Sequence, residues 1–210
     1  MEFKTIEREE QAELIEKKSK FIAQIIPITS VQDANEKLER IRKIHRDARH
    51  HCYAYRVWEK ENVIERASDD GEPSGTAGSP ILHILYQKQV CNILLVVTRY
   101  FGGILLGTGG LLKAYQGAAI LALEKATFLL QEDGVEMEVW IPYECLEQFK
   151  YFCKHKGIRI TQMEYIESIK CKIEIQKEEL ERILNNNWDT SFKVLKYTVK
   201  GSKMIQKMIK

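Results

Sequence analysis

The period of the hydrophobic pattern changes several times along the chain, and each change marks an element. Residues 21–26, FIAQII, form an apolar run short enough for a buried strand. Ala34, Leu38 and Ile41 then recur at helical spacing with His45 closing the same stripe, so Ser30 reads as the N-cap of an amphipathic helix. HHCYAYRVW alternates at period two, which places His51, Tyr53, Tyr55 and Val57 on one face and His50, Cys52, Ala54 and Arg56 on the other. Residues 62–67 continue as a second strand. Ser79 and Pro80 supply the cap and first-turn proline of a short helix through Leu85, and residues 92–98 are apolar and β-branched enough for a buried strand. The Ala, Leu and Ile content of residues 111–130 predicts a helix buried over much of its surface.

The segment Gln131-Glu132-Asp133-Gly134 carries turn chemistry and is the expected junction between a domain at 1–134 and a second at 135–210. Beyond it, residues 135–141, 158–166, 168–175 and 192–199 predict strands, with helices at 143–156, ended by Gly157, and at 177–186. That order, β-α-β-β-α-β, is the ferredoxin-like arrangement, with two helices on one face of a four-stranded sheet. The other face is left for a partner or for the first domain. The fold class is α+β in both parts.

Composition narrows the function. Hydrophobic residues at 44% and charged residues at 30% describe an ordinary globular chain of 210 residues. Its 32 basic and 30 acidic side chains leave +2, too little for bulk attraction to nucleic acid, so any anion-binding surface has to be local. Residues 1–134 carry 18 basic against 19 acidic side chains and residues 135–210 carry 14 against 11, so the excess lies in the second part. Five dispersed cysteines, without a CxxC pair, indicate neither a disulfide framework nor a cysteine-rich zinc site and fit a reducing, cytoplasmic setting. The N-terminal segment lacks a signal-peptide pattern and no apolar run reaches the length of a membrane span, so no membrane partner is expected.

Three segments carry candidate chemistry. In SDDGEPSGTAGSP, Asp69, Asp70 and Glu72 stand among glycines, prolines and the hydroxyls of Ser74 and Thr76. Such a stretch is a tight turn whose carboxylates accept backbone N–H bonds, a recognition loop, or a set of oxygen ligands for Mg²⁺. In TRYFGGILLGTGGLLKAY, the backbone at Gly107, Gly109 and Gly110 opens a helix, where unpaired N–H groups favour an anion and Arg99 and Lys113 add charge. Neither GxxxxGK[ST] nor a strand-GxGxxG-helix unit is present, so nucleotide binding of those kinds is not indicated. The third segment, Lys37 to Arg56, has seven basic residues against Glu39 and Asp47, and an acidic stretch from Glu59 to Glu72 follows. Arg46 and Arg49 are candidate phosphate contacts there, with His51 and Tyr53 as candidates to stack on or hydrogen-bond to bases. Mutual neutralisation of the basic and acidic stretches is the competing reading.

Three long motifs resemble those of the IMPACT family, also called the YigZ or UPF0029 family: HHCYAY at 50–55, DDGEPSGTAG at 69–78 and VVTRYFGGILLGTGG at 96–110, preceded by SKFIA at 19–23. The resemblance implies a first domain that is ribosomal protein S5 domain 2-like, similar also to domain IV of translocating elongation factors, and a ferredoxin-like second domain similar to their domain V. Eukaryotic proteins of this kind regulate translation through a starvation-responsive kinase. They use an accessory domain not expected here, so that pathway is not carried over.

Three readings of function stay open. The leading expectation is a noncatalytic RNA- or ribosome-associated factor in translation or its regulation, contacting its partner through the basic and glycine-rich positions. The alternatives are a Mg²⁺-dependent hydrolase or transferase acting on a small phosphorylated ligand, with Asp69, Asp70 and Glu72 holding the metal, and a protein-binding module. No catalytic residue is assigned.

Overall fold

In the computed structural model, which describes residues 2–59, 62–186, 188–189 and 191–208, the chain divides into two compact α+β units that part between Leu129 and Leu130. The first contains strands β1 (Glu2–Ile6), β2 (Glu10–Glu16), β3 (Ser19–Pro27), β4 (His50–Glu59), β5 (Asn62–Ser68) and β6 (Ile93–Tyr100). Its helices are α1 (Val31–Ile44), α2 (Gly78–Gln87) and α3 (Gly107–Lys125). Five strands form one sheet in the order β2-β3-β6-β4-β5, each antiparallel to its neighbour.

Alternation along these strands builds two cores. Phe21, Ala23, Ile25, Cys52, Ala54, Ile93, Leu95 and Val97 pack with α2 and α3, whereas Ile26, Tyr53, Tyr55, Val57, Leu94 and Val96 pack with Ala34, Leu38 and Ile41 of α1. Both faces of the central strands are therefore covered, which explains the unbroken apolar run of β6. Ser30 caps α1 as its position predicts, its hydroxyl accepting the Asp33 N–H at 3.1 Å.

Strands β1 and β2 were not expected. The sequence EQAELIE is rich in helix formers, but it pairs along its whole length with β3, from Glu10 opposite Ile25 to Glu16 opposite Ser19. The turn between them uses Lys17 and Lys18, both at positive φ (44° and 66°), without the glycine or asparagine that announces a hairpin. Helix α3 also differs from expectation, starting at Gly107 and ending at Lys125 rather than running to residue 130.

The second unit takes over within β7 (Phe128–Ile141) and continues through a 3-10 turn at Tyr143–Cys145, α4 (Leu146–Lys156), β8 (Arg159–Tyr165), β9 (Ile169–Gln176), α5 (Lys177–Asn186) and β10 (Lys196–Met208). The order is β-α-β-β-α-β, and these four strands pair as β8-β9-β7-β10 in a five-stranded sheet whose remaining strand, β1, also pairs with β7. Val135, Met137, Val139 and Ile141 of β7 and Ile169, Cys171, Ile173 and Ile175 of β9 point into one core with Phe149, Phe152, Leu180 and Ile183 of the helices. Gln131 to Gly134 is strand, not a turn: β7 passes straight through it. Gly134 serves close approach there, because a Cβ would meet the Ile205 side chain at 2.5 Å. The last strand is displaced toward the C-terminus from the expected 192–199, and Phe192 instead joins the aromatic cluster of Phe149 and Phe152. Among the described residues no helix is long and apolar enough to cross a membrane.

At Gly102 the chain passes against the β2–β3 turn so closely that a Cβ would overlap the Lys18 carbonyl carbon. Gly102→Ala is expected to destabilise the first unit by about 1–3 kcal/mol through forced backbone displacement. Thermal unfolding followed by circular dichroism checks this, and an unchanged midpoint would contradict the packing described.

Candidate functional site

The end of β6 brings three of the sequence motifs together. Arg99 continues the inward series Ile93, Leu95, Val97, so β alternation carries its guanidinium toward α3 instead of toward solvent, and the residue is 7% exposed. A buried cation needs a buried partner, and Glu72 provides it with Nη1 to Oε1 at 2.7 Å. The same Glu72 oxygen accepts the Tyr115 hydroxyl of α3 at 2.8 Å. Ser19, at the start of β3, accepts the Gly102 N–H at 3.2 Å and faces Arg99 Nη2 at 3.4 Å. The guanidinium carbon also lies 5.4 Å from the centre of the Phe21 ring and 5.5 Å from that of Phe101, while Arg99 Nε has no hydrogen-bond partner. Beside this cluster the Cys52 thiol donates to the Asp69 carbonyl at 2.9 Å, and burial pushes that thiol up to about 12, against a weaker opposing hydrogen bond from Tyr115. The Tyr115 hydroxyl is driven upward too, first by burial and then by Cys52 and Glu72. These are inert groups at neutral pH.

The other two carboxylates of the same motif turn elsewhere. Asp69 Oδ1 accepts the N–H groups of Ala77 and Gly78, at 2.9 and 2.8 Å, and Oδ2 accepts that of Gly75 at 2.9 Å, so one side chain organises the loop that opens α2. Burial raises its pKa, but the three N–H donors outweigh burial and hold the carboxyl below its ordinary value. Asp70, with φ at 43°, accepts the His51 N–H at 2.7 Å through Oδ2 and Arg42 Nη2 at 3.0 Å through Oδ1, joining the motif to β4 and α1. Its carbonyl oxygen lies 2.9 Å from His50 Nδ1. Desolvation, partly opposed by Asp70, lowers the pKa of His51, whose Nε2 sits 3.3 Å from the His45 carbonyl oxygen.

This geometry redistributes the sequence candidates. Asp69, Asp70 and Glu72 diverge to three separate sets of protein partners and do not share an open coordination point. Among the described residues no group of three His, Cys, Asp or Glu is placed to hold a metal ion. Thr76 is buried, donating to the Pro73 carbonyl at 2.6 Å, and Ser74 is exposed at the loop tip. His51 and Tyr53 are each 6% exposed and Arg99 is committed to Glu72, so these three candidates are parts of the interior and do not present themselves to a base or phosphate. Arg46 and Arg49, after the end of α1, are exposed and have no ion-pair partner among the described residues. Gly107 and Gly109 are exposed and Gly110 is half-buried at the start of α3, which no side chain caps, and Lys113 is exposed one turn further on. Of the acidic stretch, Lys60 and Glu61 lie outside the described residues, Glu65 pairs with Arg56, and Asp70 pairs with Arg42. Ser19 and Tyr115 were missed as partners of the motif; their only signal was that Ser19 opens the SKFIA motif and Tyr115 closes the glycine-rich segment.

The site therefore belongs to a two-domain α+β protein in which one motif-rich domain is closed by a buried ion pair. The model of the Impact N-terminal domain matches residues 17–123, which contain all of the segments just described. The chain is 32% identical over 175 residues to the IMPACT family member YvyE of Bacillus subtilis, covering 83% of this chain and 80% of that one. It is 47% identical over 112 residues to the IMPACT family member YigZ of Escherichia coli, covering 53% of this chain and 55% of that one. A solved structure described as a hypothetical protein is 28% identical, with a TM-score of 0.62 over 100% of this chain and 98% of that one. The chain belongs to the IMPACT family.

Removing one member of the buried pair strands the other. Glu72→Ala is expected to cost about 3–5 kcal/mol, and Arg99→Ala a similar amount, with a double variant costing less than their sum. Urea unfolding of the three variants checks this, and additive effects would contradict a direct pair.

Asp69 gives a pH signature. Its folded pKa is depressed, so its contribution is complete above the unfolded value of about 3.9 and is lost as pH falls through the folded pKa. Asp69→Asn is expected to lower stability by about 1–2 kcal/mol at neutral pH, and the gap from the natural protein narrows as the solution is acidified below about pH 4. A gap that stays constant across that range would remove the carboxylate from this role.

Proposed function

We propose that this protein is a noncatalytic RNA- or ribosome-associated factor in translation or its regulation. In this reading the first unit is ribosomal protein S5 domain 2-like and the second is ferredoxin-like, a pairing similar to that of translocating elongation factors. The strand order of the second unit, fourth-first-third-second in chain terms, supports the latter label.

One observation carries the function. The carboxylates of the densest motif are all consumed by internal partners, whereas Arg46, Arg49 and Lys113 stand exposed without ion-pair partners among the described residues. Chemistry built on Asp69, Asp70 and Glu72 would have to dismantle the loop and the ion pair that define the domain. Exposed guanidinium and ammonium groups meet phosphates at no such cost, and the exposed backbone at Gly107 and Gly109 adds donors at a helix start.

Association with ribosomes and total RNA is expected to weaken as salt rises. The doubly substituted Arg46→Ala, Arg49→Ala protein is expected to bind more weakly and to reduce the slope of log affinity against log salt by about 1–2. Sedimentation and filter binding across a salt series measure both quantities. A folded protein that binds neither ribosomes nor RNA at low salt would refute the proposal and leave a protein partner as the better reading.

A further inference from the structure

The face of the second unit's sheet turned away from α4 and α5 is not an ordinary solvated surface. Alternation sends Glu136, Glu138 and Trp140 of β7 to that face, and the register sets Lys172 opposite Glu138 and Lys170 opposite Trp140. On the other side of β7 lies β10, whose Lys196 and Lys200 reach the same row. Trp140 thus stands between two ammonium groups, Lys170 Nζ at 5.4 Å and Lys196 Nζ at 5.1 Å from its ring centre.

The charges on this face are layered. Glu138 lies low, its side chain 10% exposed, and accepts both Lys170 and Lys200 at 2.9 Å. Glu174 is lower still at 7% and is covered by Lys203 at 2.6 Å and Arg159 at 3.3 Å. Each of these carboxylates meets two cations, but Lys170 also reaches Glu164 at 3.9 Å and Lys203 reaches Glu136 at 3.4 Å, so these groups balance, and the positive excess of the face comes from Lys172 and Lys196, which have no ion-pair partner among the described residues; over Glu138 and Glu174 the side chains of Lys200, Lys203 and Arg159 stand outermost, 45%, 39% and 58% exposed. A sheet face with one large aromatic ring, bordered by cations held over the buried carboxylates of Glu138 and Glu174, is complementary to a chain that alternates π-faces with negative charges. Single-stranded RNA has that alternation. An acidic protein segment would satisfy the lysines but offer nothing flat to the indole.

We infer that this face is a stacking platform for single-stranded RNA, with Trp140 beneath a base and Lys170, Lys196 and Lys200 on the flanking phosphates. The inference rests on the RNA-associated reading above and adds to it a site in the second unit, built from residues other than Arg46 and Arg49. The lysines that occupy the indole faces in the free protein are displaceable, because a base stacked on an aromatic ring outweighs an exposed ammonium over the same ring. On binding, Lys196 exchanges the ring for a phosphate oxygen, and Lys170 does so while keeping its contact with Glu138.

The test uses the full chain and a fluorescein-labelled single-stranded oligouridylate, with a duplex RNA of equal length as comparison and poly-glutamate as an acidic competitor. Trp140→Ala is expected to weaken oligouridylate binding about tenfold or more and to change duplex binding little. Trp140→Phe is expected to restore most of the affinity, and Lys196→Ala to weaken it with a reduced salt slope; circular dichroism of each variant establishes that it is folded. If Trp140→Ala and Lys196→Ala bind as the natural protein does while the Arg46, Arg49 variant does not, this platform is refuted and the RNA-associated reading stands. If the natural protein binds no RNA at low salt, both are refuted. Competition by poly-glutamate at equal charge concentration, with no dependence on Trp140, assigns the face to an acidic protein and refutes the platform.

Discussion

A guanidinium placed where β alternation calls for an apolar side chain sets the main constraint on the first unit. Arg99 sits in the row of Ile93, Leu95 and Val97, and an unpaired charge there would be untenable. Glu72 must therefore enter the same interior, which fixes the path of the loop from β5 to α2, and Tyr115 must present its hydroxyl, which fixes the rotation of α3. Ser19 ties the start of β3 to the Gly102 N–H and so locks the loop after β6 against the β2–β3 turn. Four segments far apart in sequence are registered by one ion pair. Such a pair adds little net stability over a well-packed apolar replacement, and its use is in excluding other arrangements of the loops around it.

This explains why the density of unusual residues in the 69–78 segment is a poor guide to chemistry. Each carboxylate there answers a structural demand that a different element creates: the donors of the α2 loop for Asp69, the His51 N–H of β4 and Arg42 for Asp70, and Arg99 for Glu72. Carboxylates satisfied by backbone N–H groups and buried cations are poor bases and poor metal ligands, because taking them for another purpose leaves the original donors unpaired. Three adjacent acids in sequence look like one site. In space they are three clasps.

Elements whose burial is periodic were legible in the sequence, and those set by long-range pairing were not. The stripe of α1, the alternation of β4, the apolar run of β6 and the β-α-β-β-α-β order of the last third follow from side-chain spacing alone. Strand β2 did not, since its Glu, Ala and Leu favour a helix locally and only the ladder with β3 and the lysine turn override that preference. The passage of β7 through Gln131–Gly134 was hidden for the converse reason: Gly134 signals a turn, but its small size answers Ile205, which lies some seventy residues on. At the candidate site the motifs were legible and the roles were not, because burial of Arg99, His51 and Tyr53 depends on which face of the sheet each residue meets and on what covers it.

The consequence for function is a separation between what holds this chain's first unit together and what remains available to a partner. Groups with strong internal partners, Glu72, Arg99 and Asp69 above all, are unavailable without partial unfolding, so under the proposed function recognition falls to groups whose free state is already solvated. In the first unit these are the cations after α1 and the open start of α3, and in the second they are the lysines standing above Glu138 and Glu174. Cations above satisfied carboxylates are held near the surface in a narrow range of positions, which reduces the entropy lost when they meet an anion. The buried acids thus serve the outer surface as the buried ion pair serves the first unit: they position charge without themselves meeting the partner.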